Sequence, residues 1–187
     1  MSQKRQELIE TAIRLFAEFG FHNTGIDRIA REANVSKKTM YHHFRSKEEL
    51  ILAALRHHDG LFRNQFMKTV NAMTALPRDR LLAIFDVAET WFGGPGFHGC
   101  MFINAIGEYA SRDAAIGEAC RAFKEQMVTF VEELAVAAGA RDPRDLAESL
   151  SLLLEGAIVT AQVAGRPQSA STAKNAARLL IDQALAS

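Results

Sequence analysis

The chain has 187 residues, 48% of them apolar, enough to bury roughly 70% of the unfolded surface at this size, which excludes disorder for most of its length. Twenty-two basic side chains balance 22 acidic ones, so no global field draws the protein to polyanions or membranes, and any nucleic-acid role must rest on local charge. Residues 1–57 carry ten basic and seven acidic side chains against twelve and fifteen in 58–187, a basic head on a mildly acidic body.

In chain order, Leu8, Ile9, Ala12, Ile13, Phe16 and Phe19 recur at three- and four-residue steps and predict a helix over about 4–19, with Gly20 as a left-handed C-cap. Thr24 and Asp27 stand at capping-box spacing before a second helix that turns Ile26, Ile29, Ala30 and Ala33 inward. Asn34 tolerates a left-handed turn, and Ser36 caps a short third helix over 37–43. Ser46-Lys47-Glu48-Glu49 is a further capping box, opening a long helix to about Ala75. More helices follow at about 78–92, 100–111, 114–138, 144–164 and 170–186, interrupted by Gly93-Gly94-Pro95-Gly96, by 139–143 and by Gly165-Arg166-Pro167. No segment alternates with period two, so the fold class is all-α with about nine helices.

Helices two and three with the turn at Asn34, packed on helix one through Phe16, Ile29, Val35, Met40 and Phe44, have helix-turn-helix geometry. In helix three only Met40 is strongly apolar, so its outer face is open. Its amino terminus presents unpaired N–H groups, Lys37 and Lys38 add charge, and Thr39 and Tyr41 offer hydroxyls to phosphate oxygens. Lys37, Lys38 and His42 can reach base edges in the major groove. A charge run alone is more often a solvated face; caps, turn and packing residues together favour DNA. Three stretches, 19–24 (Phe-Gly-Phe-His-Asn-Thr), 29–36 and 39–50, resemble the TetR-family DNA-binding domain across about residues 5–55. The resemblance implies a third helix that reads bases, with Thr24, Tyr41, His43 and Lys47 touching phosphates or shaping the motif. The chain departs from the family pattern at Lys38, where a small residue is frequent, at Gly25, where Ser or Thr is frequent, and at Asn34 in place of the turn glycine. The expected DNA-binding set is Thr24, Gly25, Ser36, Lys37, Lys38, Thr39, Tyr41, His42, His43 and Lys47.

The resemblance further implies a head over 1–50, a body over 51–187 that binds an effector and dimerises, and repression relieved by that effector. Stripes on the last two helices, Leu146, Leu150, Leu153, Leu154, Ala157, Ile158 and Ala161 on one and Ala173, Ala176, Ala177, Leu180, Ile181 and Ala184 on the other, suit pairing with a second copy over about 144–186, or packing within the chain. The middle helices collect aromatic and sulfur-bearing side chains. Phe62, Phe66, Phe85, Trp91, Cys100, Met101, Phe123 and Met127, with the polar Asn104 and Glu108, are the candidate lining of a small, largely apolar effector site; the same set would serve as filled core.

Other motifs fail on context. Gly94-Pro95-Gly96-Phe97-His98-Gly99 matches the dinucleotide fingerprint but follows a helix rather than a strand. Ser171-Thr172-Ala173-Lys174 lacks the companion motifs of a Ser-x-x-Lys enzyme and reads as a helix start. Cys100 and Cys120 lie at neither disulfide-framework nor zinc-finger spacing. Cys100 could sense oxidants if its thiolate were accessible, or pair with His98 in a small enzyme. The His42-His43 and His57-His58 pairs diverge around their helices, so no metal or other cofactor is expected. Glu10, Arg14 and Glu18 break up the amphipathic start, which argues against a signal peptide. The apolar stretch around Leu152 to Ala164 is interrupted by Glu155 and falls short of the ~20 residues of a membrane span. The expectation is a soluble, cytoplasmic, non-enzymatic homodimer acting on double-stranded DNA.

Overall fold

The computed structural model describes residues 2–109 and 113–186. Among them the regular elements are nine α-helices: α1 Gln3–Phe19, α2 Ile26–Glu32, α3 Lys37–His43, α4 Lys47–Met73, α5 Pro77–Phe92, α6 Met101–Tyr109, α7 Ala114–Ala138, α8 Pro143–Ala164 and α9 Ser169–Leu185. Positions 110 and 111 of the sixth expected helix lie outside the described residues. The helices fall into two compact units, Met1–Phe62 with Cys100–Phe123, and Arg63–Gly99 with Lys124–Ser187. In this division α6 and the start of α7 group with the head helices.

In the first unit α1 is amphipathic, burying Leu8, Ile9, Ala12, Leu15 and Phe16 while Arg14 stays outside. Phe16 stacks on Phe21 at 4.8 Å between ring centres. Ile29, Met40, Phe44 and Leu50 have no exposed surface and close the three-helix head, each contributing roughly 1.5–3 kcal/mol by leaving water. Gly20 ends α1, but with φ 81° and ψ 164° it takes the extended mirror-image conformation open essentially to glycine alone, not the expected left-handed helical cap. The expected capping box at Thr24 and Asp27 does not form. Gly25 is the N-cap of α2 without a side-chain bond, and Thr24 is fully buried. Its hydroxyl is shared between the carbonyls of Leu15 at 3.2 Å and Gly20 at 2.7 Å, tying the loop to the end of α1. Asn34 takes the left-handed turn with φ 53°. Ser36 Oγ accepts the Thr39 amide and Ser46 Oγ the Glu49 amide, as expected, while Glu49 reaches back to the amide of Arg45, one residue before the cap.

In the second unit α5, α8 and α9 pack on one another. Much of the two stripes that suited pairing with a second copy is core of this chain: Leu146, Leu150, Leu154, Ala157, Ile158 and Ala161 on α8, and Ala173, Ala177 and Ile181 on α9, are buried. The apolar side chains left outside are others, Leu152, Val159 and Val163 on α8 and Leu179 on α9. Lys174 pairs with Asp86 at 2.6 Å and Ser171 donates to Glu89 at 2.5 Å, pinning α9 to α5. Arg144 joins Glu125 and Glu132 of α7 to Glu148 of α8. With 22 residues and an 18-residue window of mean hydropathy 1.3, α8 is long and apolar enough to cross a membrane, contrary to the expected shortfall. Its buried inner face and the 2.5 Å Lys124–Glu155 pair instead suit a helix within a folded core. The glycine-rich segment between α5 and α6 is a loop with no strand before it, so the nucleotide fingerprint has no structural counterpart there.

Candidate nucleic-acid interface

The recognition candidate α3 is built so that one side is spent on packing and the other is open. Met40 is its buried residue and Phe44 follows it into the core. Lys37, Lys38, Tyr41 and His42 are exposed, while Thr39 and His43 are half-buried. Ser36 uses its hydroxyl on the Thr39 amide, and its Oγ stands 2.8 Å from Thr39 Oγ1, fixing the start of the helix. Gly25 is exposed, with open space where a side chain would stand, so the amino terminus of α2 is uncovered.

Three of the expected contacts look different in three dimensions. Thr24 has no surface from which to touch a phosphate; its buried hydroxyl shapes the motif. Lys37 is not an isolated cation, for its Nζ lies 2.8 Å from the carboxylate of Asp27 on α2, and that hydrogen bond holds the ammonium above the ordinary lysine range. The signal for this pair was an acid in the first turn of the preceding helix, ten positions earlier. Lys47 is half-buried, with Nζ 3.3 Å from the carbonyl of His22. Burial pulls its ammonium below the ordinary value, with Glu48 and Glu108 opposing.

The rings of His42 and His43 meet edge to face with centres 5.3 Å apart, rather than diverging as expected. Among the described residues no group of three or more His, Cys, Asp or Glu is placed to hold a metal ion. Arg31 in the last turn of α2 and Arg45 just after α3 are exposed cations on the head that the sequence reading did not single out. Arg14 and Arg28, by contrast, are committed to Glu32. Their hydrogen bonds hold its carboxyl below the ordinary glutamate range, and Arg28 lies over the ring of Phe19 at 3.8 Å.

The candidate effector residues divide between the units. In the first, Phe102 stacks on Phe123 at 3.7 Å with nearly parallel rings, Phe62 approaches Phe123 at 6.2 Å, and His58 lies 5.6 Å from Phe62 and 5.9 Å from Phe102. The aromatic surroundings of His58 have no signal in the sequence and form only once α4, α6 and α7 are folded. Met101 and Cys100 are each 5% exposed, and Asn104 is half-buried. A buried Cys100 lacks the accessible thiolate that oxidant sensing requires.

Glu108, expected to orient an effector, turns its carboxylate to the α1–α2 loop. Its carboxylate accepts hydrogen bonds from the backbone of Phe21 and His22 and from the His22 ring. Burial pushes this carboxyl up, but those bonds outweigh it and hold the group below the ordinary glutamate value. In the second unit Phe85 is fully buried and Phe66 nearly so, Met127 is half-buried, and Trp91 packs with Phe92 and Phe97 at 5.5 and 5.1 Å.

Comparison with known proteins decides the family. Residues 8–54 match the model of bacterial regulatory proteins of the tetR family, and residues 77–177, more than half the chain, match the tetracyclin repressor-like C-terminal domain. The chain belongs to the tetR family. Within it, a TetR-family transcriptional regulator from Streptomyces coelicolor superposes with a TM-score of 0.87 at 28% identity, over 98% of this chain and 96% of that one. The transcriptional regulator AcuR of Cereibacter sphaeroides is 29% identical over 89% of this chain and 80% of its own length. An HTH-type transcriptional regulator of Bacillus subtilis, YerO, is 38% identical over 44% of this chain, a match that spans only 28% of YerO. Head and body of this tetR-family chain are thus both represented among regulators, and its all-helical fold with an N-terminal helix-turn-helix is that of the family.

Proposed function

We propose that the protein is a homodimeric transcriptional repressor that leaves its operator when a small, largely apolar effector binds in the body, and that it acts by binding rather than by turnover. The observation that carries the reading is the open face of α3, where Lys37, Lys38, Tyr41 and His42 stand outside a helix anchored by Met40 and Phe44. Exposed cations on a short helix with a capped amino terminus suit a duplex groove. Lys38 serves base or phosphate contact, and Tyr41 and His43 the backbone. The match of residues 77–177 to the tetracyclin repressor-like C-terminal domain supports repression and effector control.

A single head covers too little DNA to select a site, so two copies are needed, with half-sites about 34–36 Å or a multiple apart. Leu152, Val159, Val163 and Leu179 supply the apolar surface for that pairing on the last two helices. The aromatic set around His58, Phe62, Phe102 and Phe123 supplies the effector side of the reading. An effector acts as an inducer only by preferring the DNA-incompetent state.

The test is a mobility shift with the gene's own upstream DNA, run against salt, with mass determination in parallel. The expected result is a dimer whose affinity falls steeply with salt, and a Leu152→Asp/Val163→Asp variant that is monomeric and binds poorly. Salt-independent binding, or a monomer at all concentrations, overturns the reading.

A further inference from the structure

We propose that Glu108 is a positioning residue for DNA binding: carried on α6, its carboxylate fixes the α1–α2 loop and, through it, Lys47 at the start of α4. The proposal rests on the DNA-binding reading above. Glu108 stands on α6, and its carboxylate is held by donors on the α1–α2 loop. The Phe21 amide donates to Oε1 at 3.0 Å, the His22 amide to Oε2 at 2.5 Å, and His22 Nδ1 lies 2.8 Å from Oε2.

Gly20 makes the seat possible, since a Cβ there would stand 3.3 Å from Oε1 on a backbone with φ 81°. The loop is gripped on two further sides. The ring of Tyr109, the next residue on α6, lies 5.0 Å from that of His22, and the His22 carbonyl receives Lys47 Nζ. A run of direct contacts therefore leads from Glu108 to His22 to Lys47, all inside the first compact unit. Asn104, one turn earlier on α6, is among the candidate effector residues, so a shift of this helix would reach the head through the same carboxylate.

The sign of the effect separates positioning from charge. Replacing Glu108 by Gln removes a negative charge from the neighbourhood of a DNA-binding surface, which by electrostatics alone strengthens binding. If the carboxylate positions Lys47, the same change weakens it, because Gln offers one acceptor where two amides and a ring nitrogen need partners.

The full-length protein is titrated by fluorescence anisotropy against a labelled fragment of the gene's own upstream DNA from about 50 to about 200 mM salt. The expected result is severalfold weaker binding by Glu108→Gln, with the log–log salt slope flattened by about 0.9, the value of one phosphate contact. Lys47→Gln is expected to flatten it equally, and the double variant no further. Equal or tighter binding by Glu108→Gln with an unchanged slope overturns the proposal alone, whereas a wild-type chain that binds no fragment overturns the DNA-binding reading and takes the proposal with it. Should Glu108→Gln fail to fold, amide exchange on the wild type decides: protected Phe21 and His22 amides are expected, and exchange at the rate of an open loop refutes the clamp.

Discussion

Asp27 offers a direct measurement of what α3 does. Its carboxylate sits 2.8 Å from Lys37 Nζ, with both side chains largely in solvent, so Asp27→Asn should change folding stability little. Its effect on DNA should be large by comparison, because the change removes a charge that repels phosphate and releases the ammonium it was holding. One additional neutralised phosphate steepens the salt slope by about 0.9, so across a fourfold rise in salt, from about 50 to about 200 mM, the variant's advantage over wild type should shrink about 3.5-fold. Anisotropy titrations of wild type, Asp27→Asn, Lys37→Met and the double variant give the slopes. Lys37→Met alone should leave the slope unchanged or make it slightly flatter than wild type, and adding it to Asp27→Asn should cancel the steepening. Superimposable slopes for wild type and Asp27→Asn would refute the reading that Asp27 holds Lys37 back from a phosphate.

Two further outcomes follow from buried groups. Thr24→Val keeps the shape of a fully buried side chain but strips the donor shared by the Leu15 and Gly20 carbonyls; a loss of about 1–3 kcal/mol in urea unfolding is expected, and an unchanged midpoint would show the hydroxyl to be idle. His58 is held below the ordinary histidine value by burial, with Asp59 pulling up and His57 pushing down. The unfolded chain therefore takes up its proton first, and stability falls as pH drops below about 6.5, by at most about 1.4 kcal/mol per pH unit. His58→Gln should flatten that limb, and an unaltered slope between pH 6.5 and 5 would refute it. Glu108, whose folded value is depressed, acts in a separate window: its contribution is present at neutral pH and is lost as pH falls below its ordinary value and through the lower folded one.

The helices were legible because their signals are local. Apolar spacing and the caps at Ser36 and Ser46 depend on residues within a turn or two of each other, so α3 falls where it was expected and α7 does as well. Thr24 misled because a hydroxyl three residues before an acid fits a capping box, yet a second set of acceptors, the carbonyls of Leu15 in α1 and of its C-cap Gly20, lay closer in space. The α8 and α9 stripes misled differently. Periodicity identifies an apolar face but not what covers it, and here α5 and the two helices themselves cover most of it, leaving Leu152 and Val163 outside.

What sequence spacing could not supply is pairing between side chains far apart in the chain, and the candidate site turns on it. Asp27 with Lys37 spans ten positions, and Glu108 with His22 spans eighty-six. Neither acid has a helical-spacing reason to meet its partner. Both also change the meaning of a residue first read by type alone: Lys37 as a free cation, Glu108 as a polar group facing a ligand. In each case an anion sits where it restrains the DNA-reading head, one by occupying a lysine and the other by holding the loop beside a second lysine. Loss of Asp27 should therefore strengthen DNA binding and loss of Glu108 should weaken it. Since both substitutions remove one negative charge, no account based on net charge alone yields opposite signs.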